Sequence, residues 1–165
     1  MIHVEEKIVE AYVKFVKKWF TMSNISCKNN KEIDILAIDL DGNRYHIEVK
    51  IHKNGWPIFV KEDGRKNIVT LEGMQSKFND QDVQNKIKDI FGDNRKLKRI
   101  LVYWKVCREY ENRFDEFKRK ANAYGIDDIW LMPNIMKEIA ESEECKERCD
   151  DAVRIIKLFN DATIQ

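Results

Sequence analysis

Acidic and basic side chains share one face of a strand-like segment in the first third of the chain. In RYHIEVKIH, residues 44–52, apolar and polar residues alternate, which places Glu48 and Lys50 on the same side. The preceding segment EIDILAIDL, residues 32–40, alternates in the same way and contributes Asp34. Converging carboxylates bind a hard divalent cation such as Mg²⁺, which polarises a phosphoryl oxygen and lowers the pKa of bound water. A lysine beside that cation can hold the attacking water, so this set suits phosphodiester hydrolysis.

The turn between these two segments decides whether Asp34 reaches the face of Glu48. A two-residue turn at residues 41–42 puts Asp34 on the opposite face of the hairpin. A three-residue loop over residues 41–43 instead pairs Asp34 with Lys50 and gathers both acids and the lysine on one face. The glycine and the asparagine in that loop can both supply the positive φ that it needs. The functional prediction therefore depends on the hairpin register.

A predicted helix at residues 4–20 brings further acids towards the sheet. Its apolar positions recur at helical spacing, with Glu5 inside the apolar face and Glu6 at its edge. A carboxylate on the face that meets the sheet needs a partner. A metal ion held by Asp34 and Glu48 is one such partner, and a lysine is another.

The order of these features resembles the PD-(D/E)xK nuclease superfamily: an acid-bearing helix, Asp34, a hairpin and then Glu48-Val49-Lys50. Over residues 5–50 the chain is similar to archaeal Holliday-junction resolvases and to Mrr-like and RecB-like nucleases. The resemblance implies that Mg²⁺ or Mn²⁺ is bound by Asp34 and Glu48, by the backbone carbonyl of Val49 and by Glu6 or Glu5, with Lys50 in water activation. It also implies a metal-dependent endo- or exodeoxyribonuclease that hydrolyses DNA. A homodimer fits this activity, because many relatives cut two strands by symmetry.

The sequence departs from the family's pattern at some positions, and others near the motif need a separate interpretation. Ile33 stands where the family has a proline before the aspartate. A RecB-type Gln-x-x-x-Tyr motif is not evident, and Gln81 or Gln84 on the next predicted helix is a candidate for a related contact with DNA. His46 and His52 share the face of Glu48, and we expect them to flank the site or face phosphate rather than bind metal.

A basic loop follows the predicted site. Lys53, Arg65 and Lys66 are candidates for gripping backbone phosphates, and Trp56 is a candidate for stacking on a base or wedging a distorted duplex. Alternatively, Trp56 packs beneath the loop. Residues 94–108 carry six basic residues and no acid, which makes them a second source of DNA contacts, although part of this run falls in a buried strand.

The remaining pattern predicts alternating strands and helices. A short first strand covers residues 25–28, and residues 53–79 show turn clusters with strand-like pieces at 58–60 and 67–71. The later elements are a helix near 80–91, a strand buried on both sides at 100–106, a helix at 109–124, a strand at 129–132 and helices near 134–147 and 150–160. This order predicts an α/β fold with a mixed central sheet flanked by helices, and the resemblance implies a restriction-endonuclease-like core. We expect a single domain over residues 1–165, with its core at residues 4–132 and a helical extension at residues 133–165.

The composition excludes two broad classes of protein. With 43% hydrophobic and 36% charged residues, the chain is neither a disordered tail nor a membrane protein, since no apolar run approaches the about 20 residues of a spanning helix. The net charge of +1 neither favours nor disfavours nucleic acid as a partner. The four cysteines fit no zinc-site spacing, and MIHVEEKIVE has acids where a signal peptide has bases. We therefore expect free thiols in a cytoplasmic protein.

Two alternatives to a nuclease follow from the same residues. A nuclease-like fold without catalysis would act as a nucleic-acid- or protein-binding module. The stretch 138–151, with seven acids against two bases, favours a protein partner for such a module. In the second alternative the Glu-x-Lys motif is accidental, and Asp34, Glu48 and Lys50 form ion pairs across a solvated sheet face. An even number of residues in the hairpin connection would favour that interpretation.

Overall fold

The computed structural model describes residues 3–51, 55–61, 68–92, 96–146 and 151–163. The strands are β1 (Phe20–Ser26), β2 (Glu32–Ile38), β3 (Arg44–Val49), β4 (Leu97–Tyr103) and β5 (Asp128–Leu131). The helices are α1 (Val4–Ala11), α2 (Leu71–Phe78), α3 (Gln81–Phe91), α4 (Phe114–Ala123), α5 (Met132–Glu141), α6 (Glu143–Lys146) and α7 (Asp151–Thr163). A π-helical turn, Tyr12–Val16, extends α1, and 3-10 turns cover Lys28–Asn30 and Arg108–Tyr110.

The five strands form one mixed sheet in the order β1-β2-β3-β4-β5. The first three strands are antiparallel, whereas β4 runs parallel to β3 and β5 runs parallel to β4. Parallel neighbours need a crossover connection, and the described chain supplies α2 and α3 between β3 and β4, and α4 between β4 and β5. The predicted α/β class with a mixed sheet flanked by helices is confirmed.

Helices cover both faces of the sheet, because alternate residues of the central strands are buried on opposite sides. Ile35 of β2 and Ile47 of β3 pack against α1, α5 and α7, whereas Ile33 belongs to the cluster of α3 on the opposite face. The opposite face packs against the crossover helices: Leu101 contacts the cluster of α2 and α4, and Leu36 contacts that of α3. Asp34, His46 and Glu48 lie on the face of the crossover helices, because they contact Lys77 and Phe78 of α2.

The N-terminal helix is shorter than predicted, and the first strand is longer. Helical structure ends at Val16 rather than at residue 20, and Lys18 takes a positive φ of 61°. β1 then begins at Phe20, which pairs with Ile38, instead of at residue 25. Trp19 and Phe20 continue the apolar spacing of the helix, but pairing with β2 overrides it. Phe20 is left 73% exposed on the edge strand.

Within residues 53–79, where the sequence shows turn clusters and short strand-like pieces, the structure has a helix that was not predicted, α2. It begins after Thr70, whose Oγ1 accepts a hydrogen bond from the backbone N–H of Gly73 at 3.0 Å. The expected strand-like pieces are isolated bridges, which pair Ile58 with Val106 and Phe59 with Thr70. The later predicted elements are present with three differences. The helix expected from residue 109 starts as a 3-10 turn and becomes α-helical only at Phe114, the strand expected at 100–106 lies at Leu97–Tyr103, and the helix expected near 134–147 is divided into α5 and α6.

The described cysteines carry free thiols, as expected. Cys107 and Cys145 are buried, and Cys27 is partly exposed. In the ranges that the structure describes, no helix is both long enough and apolar enough to cross a membrane.

Candidate active site

The hairpin of β2 and β3 places Asp34 and Glu48 on one face, although through a different register from the predicted one. The observed pairs include Ile35 with Ile47 and Leu36 with His46. Continuing that register by one residue sets Asp34 opposite Glu48, rather than opposite the lysine at position 50. The connection spans five residues instead of three. Because both lengths are odd, the two acids still share a face, and the even-numbered connection of the accidental-motif alternative is not observed.

Asp39 explains why the connection is longer than predicted. Its carboxylate accepts hydrogen bonds from the backbone N–H groups of Asp41 at 3.0 Å and Asn43 at 2.8 Å. It also accepts one from the Tyr45 hydroxyl at 2.8 Å. These bonds close the loop around the Asp39 side chain, which a side-chain alternation pattern does not reveal.

Asp34 and Glu48 are buried carboxylates that each leave one oxygen for a shared position. Asp34 is 8% exposed and Glu48 is 0% exposed. The Oδ2 of Asp34 accepts a 2.7 Å hydrogen bond from the backbone N–H of Val49, and the Oε1 of Glu48 lies 2.7 Å from His46 Nε2. The remaining oxygens, Asp34 Oδ1 and Glu48 Oε2, both face the ammonium group of Lys77. The site therefore converges on a cation.

Lys77 is the main site residue that the sequence interpretation missed. It lies in the last turn of α2, forms an ion pair with Glu48 and lies 3.8 Å from Asp34 Oδ1. Its side chain remains 38% exposed, and it lines a cleft together with Asp34, Val49 and Lys50. The signal that would have found it is the Thr70 cap, followed by Leu71, Met74 and Phe78 at helical spacing.

When Asp34 and Glu48 are both ionised, the single positive charge of Lys77 does not balance their two negative charges. Burial and then the charge of Glu48 raise the pKa of Asp34 to about 8. For Glu48, burial acts to raise the pKa, but the contact with His46 and the charge of Lys77 outweigh it and lower the pKa. For Lys77, burial acts to lower the pKa, but the charges of Glu48 and Asp34 raise it overall. One ammonium group thus compensates two buried carboxylates only in part.

His46 is an internal support of the site rather than a phosphate-facing group. Its side chain is 0% exposed, and its ring meets that of Phe78 edge-on with the centroids 4.8 Å apart. The contact of its Nε2 with Glu48 fixes that carboxylate. Among the described residues, its Nδ1 has no hydrogen-bond partner. His52, the other histidine on the predicted face, lies outside the described residues.

Lys50 and Val49 lie at the end of β3, at the wall of the same cleft. The backbone N–H of Lys50 donates to the carbonyl of Val102 at 2.9 Å, and its side chain is exposed. In the described part of the chain, Lys50 forms no ion pair with a carboxylate. Val49 is buried and holds Asp34 through its N–H. The ligand role of its carbonyl stays a prediction.

The acids of α1 line this cleft, which has a volume of about 560 Å³. Glu5 and Glu6 are both partly buried. Burial is the main cause that raises the pKa of Glu6, and the charge of Glu6 contributes to raising the pKa of Lys77. Glu6 is therefore linked to the site through its charge on Lys77.

The predicted substrate-contacting residues lie apart from this cleft or beyond the described ranges. Gln84 donates a 2.6 Å hydrogen bond to the carbonyl of Phe78 and lines a second, basic cleft. Trp56 is 39% exposed, so it does not pack fully beneath its loop. Lys53, Arg65 and Lys66 lie outside the described residues.

The donor set suits a magnesium-type ion with few protein ligands. Among the described residues, no three His, Cys, Asp or Glu side chains converge as a metal-binding group. Mg²⁺ needs only one or two carboxylates, because waters and substrate phosphates complete its coordination. Asp34 Oδ1 and Glu48 Oε2 meet that requirement, although Lys77 is paired with Glu48 Oε2 in the structure. A metal ion and the ammonium group of Lys77 would compete for these two oxygens.

No protein-family model matches this chain, and neither a curated protein nor a solved structure does. The resemblance to the PD-(D/E)xK nucleases therefore rests on the motifs themselves and on the order of the elements. Function has to be inferred from the geometry of the carboxylate pair.

Proposed function

We propose that this protein is a metal-dependent nuclease that hydrolyses DNA phosphodiester bonds. The observation that carries the proposal is the pair of buried carboxylates, Asp34 and Glu48, which leave one oxygen each for a shared position beside an open cleft. A buried pair of like charges costs free energy unless a cation or a proton relieves it. Such a pair is typical of a site that binds a cation for chemistry.

The order of the elements supports a restriction-endonuclease-like core. An acid-bearing helix, an antiparallel meander of three strands and a helical crossover to the parallel strand β4 follow one another along the chain. This is the order that the resemblance implies. It also brings Asp34 and Lys77 to the lining of the cleft, with Glu48 buried behind Lys77.

The chain's own residues would position the reacting groups. Asp34 and Glu48 would hold Mg²⁺ or Mn²⁺, with Glu6 and the Val49 carbonyl completing the set. The ion would supply a polarised phosphoryl oxygen and a water of lowered pKa. The Val49 N–H fixes Asp34, and His46 fixes Glu48, so neither carboxylate has to reorganise when the substrate binds.

Two lysines would act on the phosphate. Lys77, displaced from the carboxylates by the metal ion, would stabilise the negative charge that develops on the phosphoryl oxygens. Lys50, exposed at the cleft wall, would orient the attacking water. Two lysines, Lys77 and Lys50, would therefore share the roles that the sequence motif assigns to Lys50 alone.

A second candidate function is an inactive, nuclease-like binding module, and the ion pair of Lys77 with Glu48 favours it. An ammonium group fixed between the two carboxylates would exclude a metal ion permanently. The acidic stretch 138–151 would then be the partner surface, but part of it is engaged within the protein. Glu138 accepts a 2.8 Å hydrogen bond from the Tyr12 hydroxyl, and Glu144 forms a 2.9 Å ion pair with Lys18.

The proposal also includes a cytoplasmic location and a homodimer. The free thiols of Cys27, Cys107 and Cys145 support the location, since the cytoplasm keeps thiols reduced. The homodimer depends on the resemblance alone and stays a prediction.

Calorimetric titration with Mn²⁺, paired with a cleavage assay on duplex, branched and single-stranded DNA, separates the two functions. A nuclease binds Mn²⁺, loses binding in Asp34→Asn and cleaves at least one DNA, with slower cleavage in Lys77→Met. An inactive module shows no Mn²⁺ binding in the wild type but gains binding in Lys77→Met, because the competing ammonium group is gone. If neither the wild type nor Lys77→Met binds Mn²⁺ and neither cleaves, the metal-dependent proposal is wrong.

A further inference from the structure

A second cleft, of about 520 Å³, opens at the opposite end of the same sheet face. It lies where β3, β4 and β5 begin, whereas the carboxylate pair lies near the end of β3. Arg44, at the start of β3, is four residues from Glu48, which corresponds to about 13 Å along the strand. The cleft is lined by Arg44, Gln81, Gln84, Asn85, Lys88, Lys96, Arg99 and Asp127, together with apolar residues of α3 and β4.

The lining of this cleft is strongly basic. It holds four cationic side chains and one acid, Asp127, whose carboxylate accepts a 2.8 Å hydrogen bond from the backbone N–H of Arg99. Lys88 and Lys96 are exposed. Across the described part of the chain, neither of them forms an ion pair with a carboxylate. Lys88 and Lys96 therefore offer positive charge to an anion at this cleft.

Two of its cations are held in place by aromatic rings. The guanidinium carbon of Arg44 lies 5.0 Å from the ring centre of Phe91, and that of Arg99 lies 6.0 Å from the ring centre of Phe78. Gly125 leaves room for Arg99, since a Cβ at that position would lie 3.3 Å from its Nη1. Guanidinium groups fixed in this way lose little conformational entropy when they bind phosphate.

An exposed aromatic side chain continues the same row of the sheet. Phe20 pairs with Ile38, and Ile38 pairs with Arg44, so all three side chains point to one face. Two strand spacings separate Phe20 from Arg44, which corresponds to about 10 Å. Phe20 is 73% exposed. An exposed ring beside a basic groove is the arrangement that binds single-stranded nucleic acid, with bases on the ring and phosphates on the cations.

We infer that this cleft binds the phosphate backbone of a single-stranded nucleic acid segment, with a base stacked on Phe20. The inference rests on the proposed function, because it gives the nuclease a single-stranded substrate held at the basic end of the sheet. The amide side chains of Gln84 and Asn85 add hydrogen-bonding groups to the lining of this cleft.

Fluorescence anisotropy with a labelled oligothymidine of about 15 nucleotides tests the inference. EDTA is present, so that binding is measured without metal or cleavage. We expect Arg44→Ala with Arg99→Ala, and separately Lys88→Glu with Lys96→Glu, to weaken binding about tenfold or more. The double arginine variant should also flatten the slope of log affinity against log salt by about 1.4, from about 0.7 per lost phosphate contact. Since Lys88 and Lys96 are exposed, their variant keeps the test valid if the arginine variant folds poorly.

Matched controls separate the contribution of this cleft to binding from a general loss of positive charge. Lys137→Ala with Arg154→Ala removes two cations from α5 and α7, on the other side of the sheet, and should bind like the wild type. Phe20→Leu should weaken binding of the oligothymidine severalfold and leave binding of a duplex of equal length unchanged.

Three results would overturn the inference. One is wild-type affinity for the oligothymidine in both cleft variants. Another is a loss of affinity in the control variant, Lys137→Ala with Arg154→Ala, equal to the loss in the cleft variants. The third is a Phe20→Leu variant that binds the oligothymidine like the wild type, which would remove the single-strand assignment. If the cleft variants lose binding but the wild type cleaves no DNA with Mn²⁺ or Mg²⁺, the cleft stands and the nuclease proposal fails.

Discussion

Replacing Asp34 by asparagine should stabilise the protein in the absence of metal, although it should abolish the proposed activity. Burial and the neighbouring charge of Glu48 raise the pKa of Asp34 to about 8, from 3.8 in a solvated chain. Between these two values the unfolded chain releases a proton that the folded chain keeps. The folded state of the wild type therefore loses stability as pH rises from 4 to 8.

The magnitude follows from the size of that gap. One pKa unit corresponds to about 1.4 kcal/mol, so the cost at pH 7 is up to about 4 kcal/mol. Asparagine has nearly the same shape, its side-chain oxygen can accept the hydrogen bond that Val49 donates, and it carries no charge. The stability gained in Asp34→Asn should therefore grow by about 1.4 kcal/mol for each pH unit between pH 5 and pH 7.

Urea unfolding in EDTA, followed by tryptophan fluorescence at pH 5, 6 and 7, measures this gain. Asp80→Asn is the matched control, because the ion pair with Lys31, 2.6 Å long, lowers the pKa of Asp80. It should destabilise the protein at pH 7. An Asp34→Asn variant that is less stable than the wild type at pH 7, or whose gain does not change with pH, would refute the electrostatic reasoning.

Three further substitutions test how the site and the basic cleft are positioned. Lys77→Met leaves the buried carboxylate of Glu48 with less compensation, so it should destabilise the protein by about 2–3 kcal/mol in EDTA, and Mn²⁺ should restore part of the loss in thermal unfolding. Thr70→Ala removes the N-cap of α2 and should cost about 1 kcal/mol in urea unfolding. It should also lower the rate of DNA cleavage, because α2 carries Lys77. Gly125→Ala places a side chain at a φ of +71° and against Arg99, so it should cost about 1–2 kcal/mol and weaken oligothymidine binding without changing Mn²⁺ affinity.

The shared face of Asp34 and Glu48 could be predicted from the sequence, because side-chain alternation in a hairpin depends only on whether the connection is odd or even. The length of the connection could not. It depends on how the Asp39 carboxylate bonds to the loop, and hairpin turn preferences do not include that bonding. The predicted partner of Asp34 was therefore wrong by two residues, while the side of the sheet was right.

The role of Lys77 could not be predicted from the Glu-x-Lys motif. The lysine of the Glu-x-Lys motif, Lys50, is next to the site along the chain, but it lies beyond the end of β3 with an exposed side chain. Lys77 is 29 residues from Glu48 in sequence, and only the fold of α2 over the sheet brings the two together. A helix of eight residues within an irregular segment gives too weak a periodic signal for confident prediction.

The predicted N-terminal helix was too long for a related reason. Trp19 and Phe20 continue the apolar spacing of α1, so a single-sequence pattern cannot tell where the helix stops. The stop is set by tertiary contacts: Phe20 joins the sheet beside Ile38, and Trp19 stacks on Tyr45 with the ring centres 4.1 Å apart. Contacts between distant parts of the chain thus override local spacing at this point.

Anomalous diffraction from a crystal soaked in Mn²⁺ tests the carboxylate pair most directly. We predict one strong peak in contact with both Asp34 Oδ1 and Glu48 Oε2, with the ammonium group of Lys77 moved away from Glu48. A crystal that takes up Mn²⁺ elsewhere, or not at all, while Lys77 stays paired with Glu48, would contradict the proposed metal site.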